Sequence, residues 1–357
     1  MGRAFPRVNI GAAEPAATCS SLRVQRISVG SSTWLEQIAV TLLNRLSGRV
    51  VMQRQCCLFL TLAGAQLLCN GRNICSRKYS NVTFVGSHDA PFVGPLPQQN
   101  QNIDIPAQLE LGIRFLQGQT HRRPITGTLS LCHTSCLLED AGSLTGFLER
   151  VKRWLDGHPR EVVTLLLTNG DSVNIDEFAA SFTASGITRY TFIPEINENN
   201  QTTTSTTTPN NAADWPTLDE LILTNQRLVV FLDYGANTTH TPYILDEFAY
   251  FFETAFDVTD AQSLGSACTV DRPRGASPVG RMALLNHFLD VEILPGVLVP
   301  DRERAAQTNA AHGAGSIGAQ VAACRRALLG EEGRVNVVLL DFVDEGEAMA
   351  VQDAMNS

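Results

Sequence analysis

From about residue 82 onward the apolar positions fall into two alternating rhythms. Short continuous runs, Val82 to Gly86, Gly112 to Leu116, Leu129 to Leu131, Val162 to Leu167, Arg227 to Asp233, Ala283 to Leu289 and Val335 to Asp341, read as strands, several of them buried on both faces. Between them, Leu144, Phe147, Leu148, Val151, Trp154 and Leu155 recur at three- and four-residue steps. That spacing predicts a helix with Ser143 as its cap and Gly157 and Pro159 as its stop. Further helices are expected around Phe182, from Trp215-Pro216-Thr217-Leu218 onward, and near Ala319 to Leu329. Strand-helix alternation over about 290 residues predicts a parallel α/β fold, and roughly eight candidate strands favour an irregular (β/α)8 TIM-type barrel over an open sheet. No GxGxxG or GxxxxGK[ST] motif follows a strand, which counts against the nucleotide-binding readings.

In such a barrel, chemistry gathers where strands end at their C-terminal edge. His88 and Asp89, Gln117 and Gln119, His133, Asn169, Asp233, His287 and Asp341 all fall at or just past strand ends, and Arg114 sits in one of the runs. Two histidines at neighbouring strand mouths, His88 and His133, suit a paired general base and acid, because imidazole titrates near neutral pH.

Upstream, the pattern changes. From Met52, the stretch MQRQCCLFLTLAGAQ has an arginine, an apolar core and the small-x-small sequence Ala63-Gly64-Ala65, the form of a secretory signal peptide. The expected organisation is residues 1–51 as an extension ahead of the true start, 52–65 as signal, and 66–357 as one domain. A transit peptide in the first segment is the rival reading. Six cysteines then remain, Cys69, Cys75, Cys132, Cys136, Cys268 and Cys324. In an exported protein six permit three disulfides, with the close pairs Cys69/Cys75 and Cys132/Cys136 suggesting local bridges. Sequons at Asn81, Asn200 and Asn237 make glycosylation sites and fit the same secreted destination. Taking away residues 1–65 removes seven Arg and two Glu and moves the net charge from −9 to −14. So acidic a chain gains no bulk attraction to nucleic acid, and a monomer with no cofactor is expected.

The stretch Val85-Gly86-Ser87-His88-Asp89-Ala90-Pro91-Phe92, followed by Gln108 to Leu116 and then Leu131-Cys132-His133-Thr134, resembles the X-region of phosphatidylinositol-specific phospholipases C. Over about Cys69 to Gly346 the chain looks like secreted fungal phospholipase C-like phosphodiesterases, through Cys132-His133-Thr134-Ser135-Cys136, Trp154-Leu155, Glu161-Val162-Val163-Thr164, Trp215 to Leu218, Asn286 to Asp290 and Asp341-Phe342. The resemblance implies a TIM-type barrel that cleaves a phosphoinositide or related phosphodiester, so the partner is a phosphodiester or phospholipid headgroup, met in transient contact with a membrane surface. It gives His88 the role of general base, His133 that of general acid, Asp89 that of organising the phosphate site and Asp341 that of orienting the base.

One departure stands out. Where bacterial relatives carry an acidic residue and then an arginine, and calcium-dependent ones carry two acidic ligands, this chain has Gln117 and Gln119. Glutamine neither neutralises phosphorane charge nor binds a hard cation strongly, so no metal is expected. His121, Arg122 and Arg123 follow as candidate substitutes for the missing cation, or as a solvated loop. The alternative function is a weak or inactive barrel that binds an inositol phosphate, polyol or glycan, the glutamines meeting sugar hydroxyls. A metal ion near Asp89 and Glu110 is a third possibility.

Overall fold

The structure, a computed structural model, describes residues 68–194, 215–266, 268–331 and 333–357, which lie in one compact unit, Gln66–Ser357. Its strands are β1 (Phe84–Ser87), β2 (Phe115–Arg122), β3 (Leu129–Cys132), β4 (Asp140–Ser143), β5 (Val163–Thr168), β6 (Leu228–Leu232), β7 (Leu245–Asp246), β8 (Phe251–Glu253), β9 (Met282–Asn286), β10 (Asp290–Leu294), β11 (Val297–Pro300) and β12 (Val335–Leu340). Eight of them form a curled parallel sheet in the order β7-β6-β5-β2-β1-β12-β9-β8. Among the described residues no ladder joins β7 to β8, so the sheet is an α/β barrel opened at that seam.

The continuous apolar strands follow from burial on both faces. Successive side chains of a strand point to opposite sides. Phe84, Phe115, Leu166, Val229, Phe231, Leu284, Val337 and Leu339 fill the interior with Trp215 and Tyr79. Val85, Leu116, Val163, Leu165, Val230, Leu285 and Val338 face outward under the helices, packed with Phe147, Leu148, Val151, Phe178 and Val351. The expected helix forms as Leu144–Gly157, with Ser143 Oγ accepting from the Gly146 N–H at 3.1 Å. The one after Trp215 forms as Leu218–Leu223, opened by a reciprocal capping box between Thr217 and Glu220.

The run Leu129 to Leu131 behaves differently from the expectation. It is β3, outside the barrel ring, an antiparallel ribbon strand that pairs with the upper part of β2 and with β4. β2 outlasts its barrel partner β5, and its last residues, Thr120 to Arg122, find hydrogen bonds in β3 instead. Gly118 makes room for this fold-back. A Cβ there would stand 3.1 Å from Leu131 Cδ1 and 3.2 Å from Pro91 Cγ.

The six cysteines pair as Cys69–Cys75, Cys132–Cys136 and Cys268–Cys324. Asn81 and Asn237 are exposed, while Asn200 and the segments 1–51 and 52–65 lie outside the described residues.

Candidate active site

The barrel topology makes β1 and β12 neighbours, and so brings residues 253 positions apart into contact at one rim. His88 Nδ1 lies 2.9 Å from Asp341 Oδ1. Asn100, buried, donates from Nδ2 to the same carboxylate oxygen at 3.0 Å, and Gln101 donates to the carbonyls of His88 and Leu340 at 2.7 and 3.1 Å. With its Nδ1 side turned to Asp341, the imidazole presents Nε2 to the mouth. Its face stacks on Phe288 at 3.7 Å between ring centroids.

Asp89 is fully buried, and its Oδ2 lies 3.5 Å from His88 Nε2 and 3.3 Å from His133 Nε2. Both imidazoles thus face one carboxylate oxygen. Gln119 completes the assembly by donating from Nε2 to that oxygen at 2.8 Å while its Oε1 accepts from the Thr134 N–H at 3.1 Å. Gln117 Oε1 accepts from the Asp89 N–H at 2.7 Å. Gln119 thus ties the His88 and His133 segments together, and Gln117 steadies the Asp89 backbone while lining the cavity.

His133 reaches the mouth from the end of β3, on a loop closed by the Cys132–Cys136 disulfide. The residues directly after His88, His133 and Asp341, namely Asp89, Thr134 and Phe342, have φ of 45°, 60° and 48°. Left-handed backbone at a non-glycine residue costs of order 1–3 kcal/mol and tends to gather at working sites. Here it turns the chain sharply after each of the three side chains.

Burial alone pushes the His88 imidazolium down, but the Asp89, Asp341 and Asp290 carboxylates outweigh it and raise His88 to about 9. The carboxylates around His88 thus favour its protonated form.

A cavity of about 340 Å³ opens beside these groups, lined by His88, Gln117, Gln119 and Thr134 on one side and by Asp233, Glu247, Glu253 and Arg272 on the other. Burial pushes Asp233 up to about 6, while its Oδ1 accepts from the N–H groups of Asn169 and Tyr234. Burial and the adjoining Glu253 push the Glu247 carboxyl well above the usual range. Arg272 pairs with Glu253 and stacks over Phe256 at 4.6 Å, and its buried Nε has no hydrogen-bond partner.

Three candidates lie elsewhere. Arg114 precedes β2 at the opposite end of the barrel, where Nε pairs with Glu161 at 2.8 Å and Nη1 donates to the carbonyls of Leu109 and Ile113. Its place on the strand, one residue before the ladder, decides this. His287 is completely buried against Gln320 and the Thr308 carbonyl, at 2.6 and 2.9 Å, and burial lowers its pKa. Asn169 holds its own turn through Val173 and Tyr234. Arg122 and Arg123 are ion-paired with Glu177 and Asp140 on the exposed ribbon, so neither is the cavity's cation. His121 lines the cavity and pairs with Asp171 at 3.0 Å.

The residues missed from the sequence are Asn100, Gln101, Glu247, Glu253, Arg272 and Phe288. Arg272, in the connection that follows β8, meets Glu253 at the end of that strand through an isolated antiparallel bridge, a pairing with no local signature.

The profile of the PI-PLC X family (PI-PLC X 1) matches residues 74–356. The chain belongs to the PI-PLC X-domain family. A relative in Arthroderma benhamiae, PI-PLC X domain-containing protein 1, is 50% identical over 292 residues, covering 81% of this chain and 90% of its own. An uncharacterized secreted protein of the same organism is 41% identical over 264 residues, 72% of this chain and 56% of that one. Among solved structures, the phosphatidylinositol-specific phospholipase C of Listeria monocytogenes aligns at TM-score 0.49 and 16% identity over 79% of this chain and 94% of that one. Membership of the PI-PLC X-domain family places the protein with phospholipase C-like hydrolases in the coarse sense. Among the described residues no helix is long and apolar enough to cross a membrane.

Proposed function

We propose that this member of the PI-PLC X-domain family is a secreted phosphodiesterase of the phospholipase C type, cleaving a phosphoinositide or a related polyol phosphodiester. The observation that carries the reading is the Asp89 carboxylate set between His88 Nε2 and His133 Nε2, with Asp341 behind His88. His88, once deprotonated, takes the proton of the polyol hydroxyl next to the phosphate; that oxygen attacks phosphorus and the bond to the departing alkoxide breaks. His133 gives its proton to the leaving oxygen, and a cyclic phosphodiester and an alcohol result. Water then opens the cycle with the two histidines in exchanged roles.

Asp341 keeps the His88 proton on Nδ1 and so aims the Nε2 lone pair at the mouth. Gln117 and Gln119 serve as positioning residues, because Gln117 Oε1 holds the Asp89 N–H and the Gln119 amide spans from Asp89 to Thr134. Since they bring no carboxylate to the site, they support chemistry without a divalent ion. Arg272 supplies the cavity's positive charge, and with Asp233 and Glu253 it offers donors and acceptors suited to the hydroxyls of a polyol ring.

The test is to follow phosphorus NMR of dispersed phosphatidylinositol with the purified protein, with and without chelator. A cyclic inositol phosphate whose formation is unchanged by chelator is expected, and Arg272→Gln is expected to raise KM about tenfold or more, the loss of a charged hydrogen bond. Absence of any phosphodiester product across a panel of polyol phosphodiesters would sink the proposal.

A further inference from the structure

Four consecutive amide side chains, Gln98-Gln99-Asn100-Gln101, lie in the connection between β1 and the helix Ile105–Leu111. Gln99, Asn100 and Gln101 are buried and Gln98 is half-buried. Burying an amide costs free energy unless hydrogen bonds replace the water it gives up, so the partners of this run show what it is for.

The second half of the run serves the base. Asn100 Nδ2 donates to Asp341 Oδ1, the oxygen that faces His88 Nδ1, and Gln101 Nε2 donates to the carbonyls of His88 and Leu340. The first half turns the other way. Gln98 Nε2 donates to Glu139 Oε2 at 3.0 Å and Gln99 Nε2 to Glu139 Oε1 at 2.9 Å, so neighbouring amides take both oxygens of one carboxylate. Glu139 in turn closes the loop that carries the acid. Its carbonyl accepts from the His133 N–H at 3.2 Å, and its own N–H donates to the Ser135 carbonyl at 3.2 Å. Phe92, whose carbonyl accepts from the Asn100 and Gln101 N–H groups, has its ring centroid 5.2 Å from that of His133.

The run is itself anchored. The Gly94 N–H donates to the Gln101 carbonyl at 3.0 Å, the Leu96 N–H to Gln99 Oε1 at 2.9 Å, and Arg302 Nη2 to the Gly94 carbonyl at 2.7 Å. One short segment thus has fixed points toward both histidines, which the sheet places on separate elements, His88 after a barrel strand and His133 after a ribbon strand. Hydrogen bonds to a carboxylate are roughly twice as strong as those between neutral groups, which favours Glu139 as the joint.

We infer that the run Gln98–Gln101 is a bracket that sets the general acid against the general base, and that Glu139 is the positioning residue through which it holds His133. The inference rests on the proposed function for the roles of the two histidines, and on the hydrogen bonds alone for the bracket.

Leaving-group chemistry tests it. Protonation of the departing oxygen matters greatly for an alkoxide and little for an aryl oxide, which departs as a stable anion. Glu139→Ala is expected to lower kcat on phosphatidylinositol about tenfold, as a displaced acid does. On the inositol phosphate ester of 4-nitrophenol that loss is expected to shrink to about twofold. Glu139→Gln keeps Gln99 on its amide oxygen and can meet the Gln98 carbonyl with its amide nitrogen, so it is expected to recover kcat to within about twofold of wild type. Added to His133→Ala, Glu139→Ala is expected to cost nothing further, because the group it positions is gone. Equal losses on the two substrates, a Glu139→Gln variant as impaired as Glu139→Ala, or full additivity with His133→Ala overturns the inference and leaves Glu139 a support of the loop in general. If Glu139→Ala does not fold, Gln98→Ala, which removes one of the two bonds, is held to the same contrast with a loss of about threefold on phosphatidylinositol.

Imidazole NMR separates the failure of this reading from that of the proposed function. Wild type that turns over neither substrate refutes the proposed function, and the bracket is then decided by the His133 ring signal. A His133 signal displaced and broadened in Glu139→Ala, with that of the buried His287 unmoved, upholds the bracket; a His133 signal unchanged by the substitution overturns it.

Discussion

The two histidines of the site are supported in opposite ways. His88 ends a barrel strand, and its carboxylate partner Asp341 ends the strand beside it, so the parallel ladder between β1 and β12 sets their meeting. His133 ends a ribbon strand outside the ring, and its placement depends on the Cys132–Cys136 bridge and on Gln119, which spans from Asp89 to the Thr134 N–H. The first arrangement draws on the barrel's core. The second adds a covalent closure and one amide to the packing of β3, whose four residues are buried, because His133 lies just beyond the end of that strand. Positional precision can therefore come from topology or from a local staple, and the site uses both within the reach of a single carboxylate.

Removing the histidines tests the core of that comparison. His88→Ala and His133→Ala are each expected to lower kcat by roughly 10²–10⁴-fold, measured as release of cyclic phosphate, with the fold intact by circular dichroism. A much smaller loss for His133 would leave the barrel side alone with the chemistry.

Asp341→Asn separates orientation from protonation. The general base must be neutral, so activity limited by His88 is expected to rise with pH toward about 9, where the Asp89, Asp341 and Asp290 carboxylates overcome its burial. Deleting the Asp341 charge favours the neutral imidazole and moves that limb to lower pH, while kcat on the plateau falls because the Nδ1 proton loses its acceptor. A pH–rate profile that keeps its limb would show that Asp341 does not govern His88.

The ribbon side is probed by the disulfide. Cys132→Ser with Cys136→Ser is expected to reduce kcat about tenfold, as loosened acid positioning does, without shifting the His88 limb. Cys69→Ser with Cys75→Ser is expected to leave kcat alone and lower thermal stability, since that bridge closes a short loop of the N-terminal segment remote from the mouth. Equal kinetic losses for both pairs would erase the distinction drawn here.

The smallest effect is thermodynamic. His88 is raised from 6.5 to about 9 on folding, so its protonation contributes stability that is fully present below pH 6.5 and lost as pH rises through about 9. Denaturant midpoints should fall modestly across that window in wild type, and fall less in His88→Ala.

Much of this was legible beforehand, and unevenly. Strands with a continuous apolar run, such as Val163–Thr168 and Val335–Leu340, and the amphipathic helix Leu144–Gly157 showed themselves because both faces, or one stripe, must be buried. The two-residue β7 and three-residue β8 are too short to carry a period. The apolar run at Leu129 reads the same whether its strand closes the ring or leaves it. For the site, His88, Asp89, His133 and Asp341 were visible as polar residues at strand ends. His287 was indistinguishable from them by that rule, since a strand-edge rule does not say whether a residue points into the core, whereas Arg114 sat inside its run and pairs with Glu161.

By itself, then, the sequence determined the alternation of buried strands and amphipathic helices, the family, and which side chains have the chemistry for acid-base work, because hydrophobic period and residue type are local properties. The tertiary structure decided which of them meet. It turned Gln117 and Gln119 into ties around Asp89, moved the cavity's cation to Arg272, put His287 into the core, and left the ribbon Asp290–Pro300 facing water. Those outcomes depend on contacts between residues tens to hundreds of positions apart, and no local pattern encodes which partner a polar side chain finds once the chain has closed on itself.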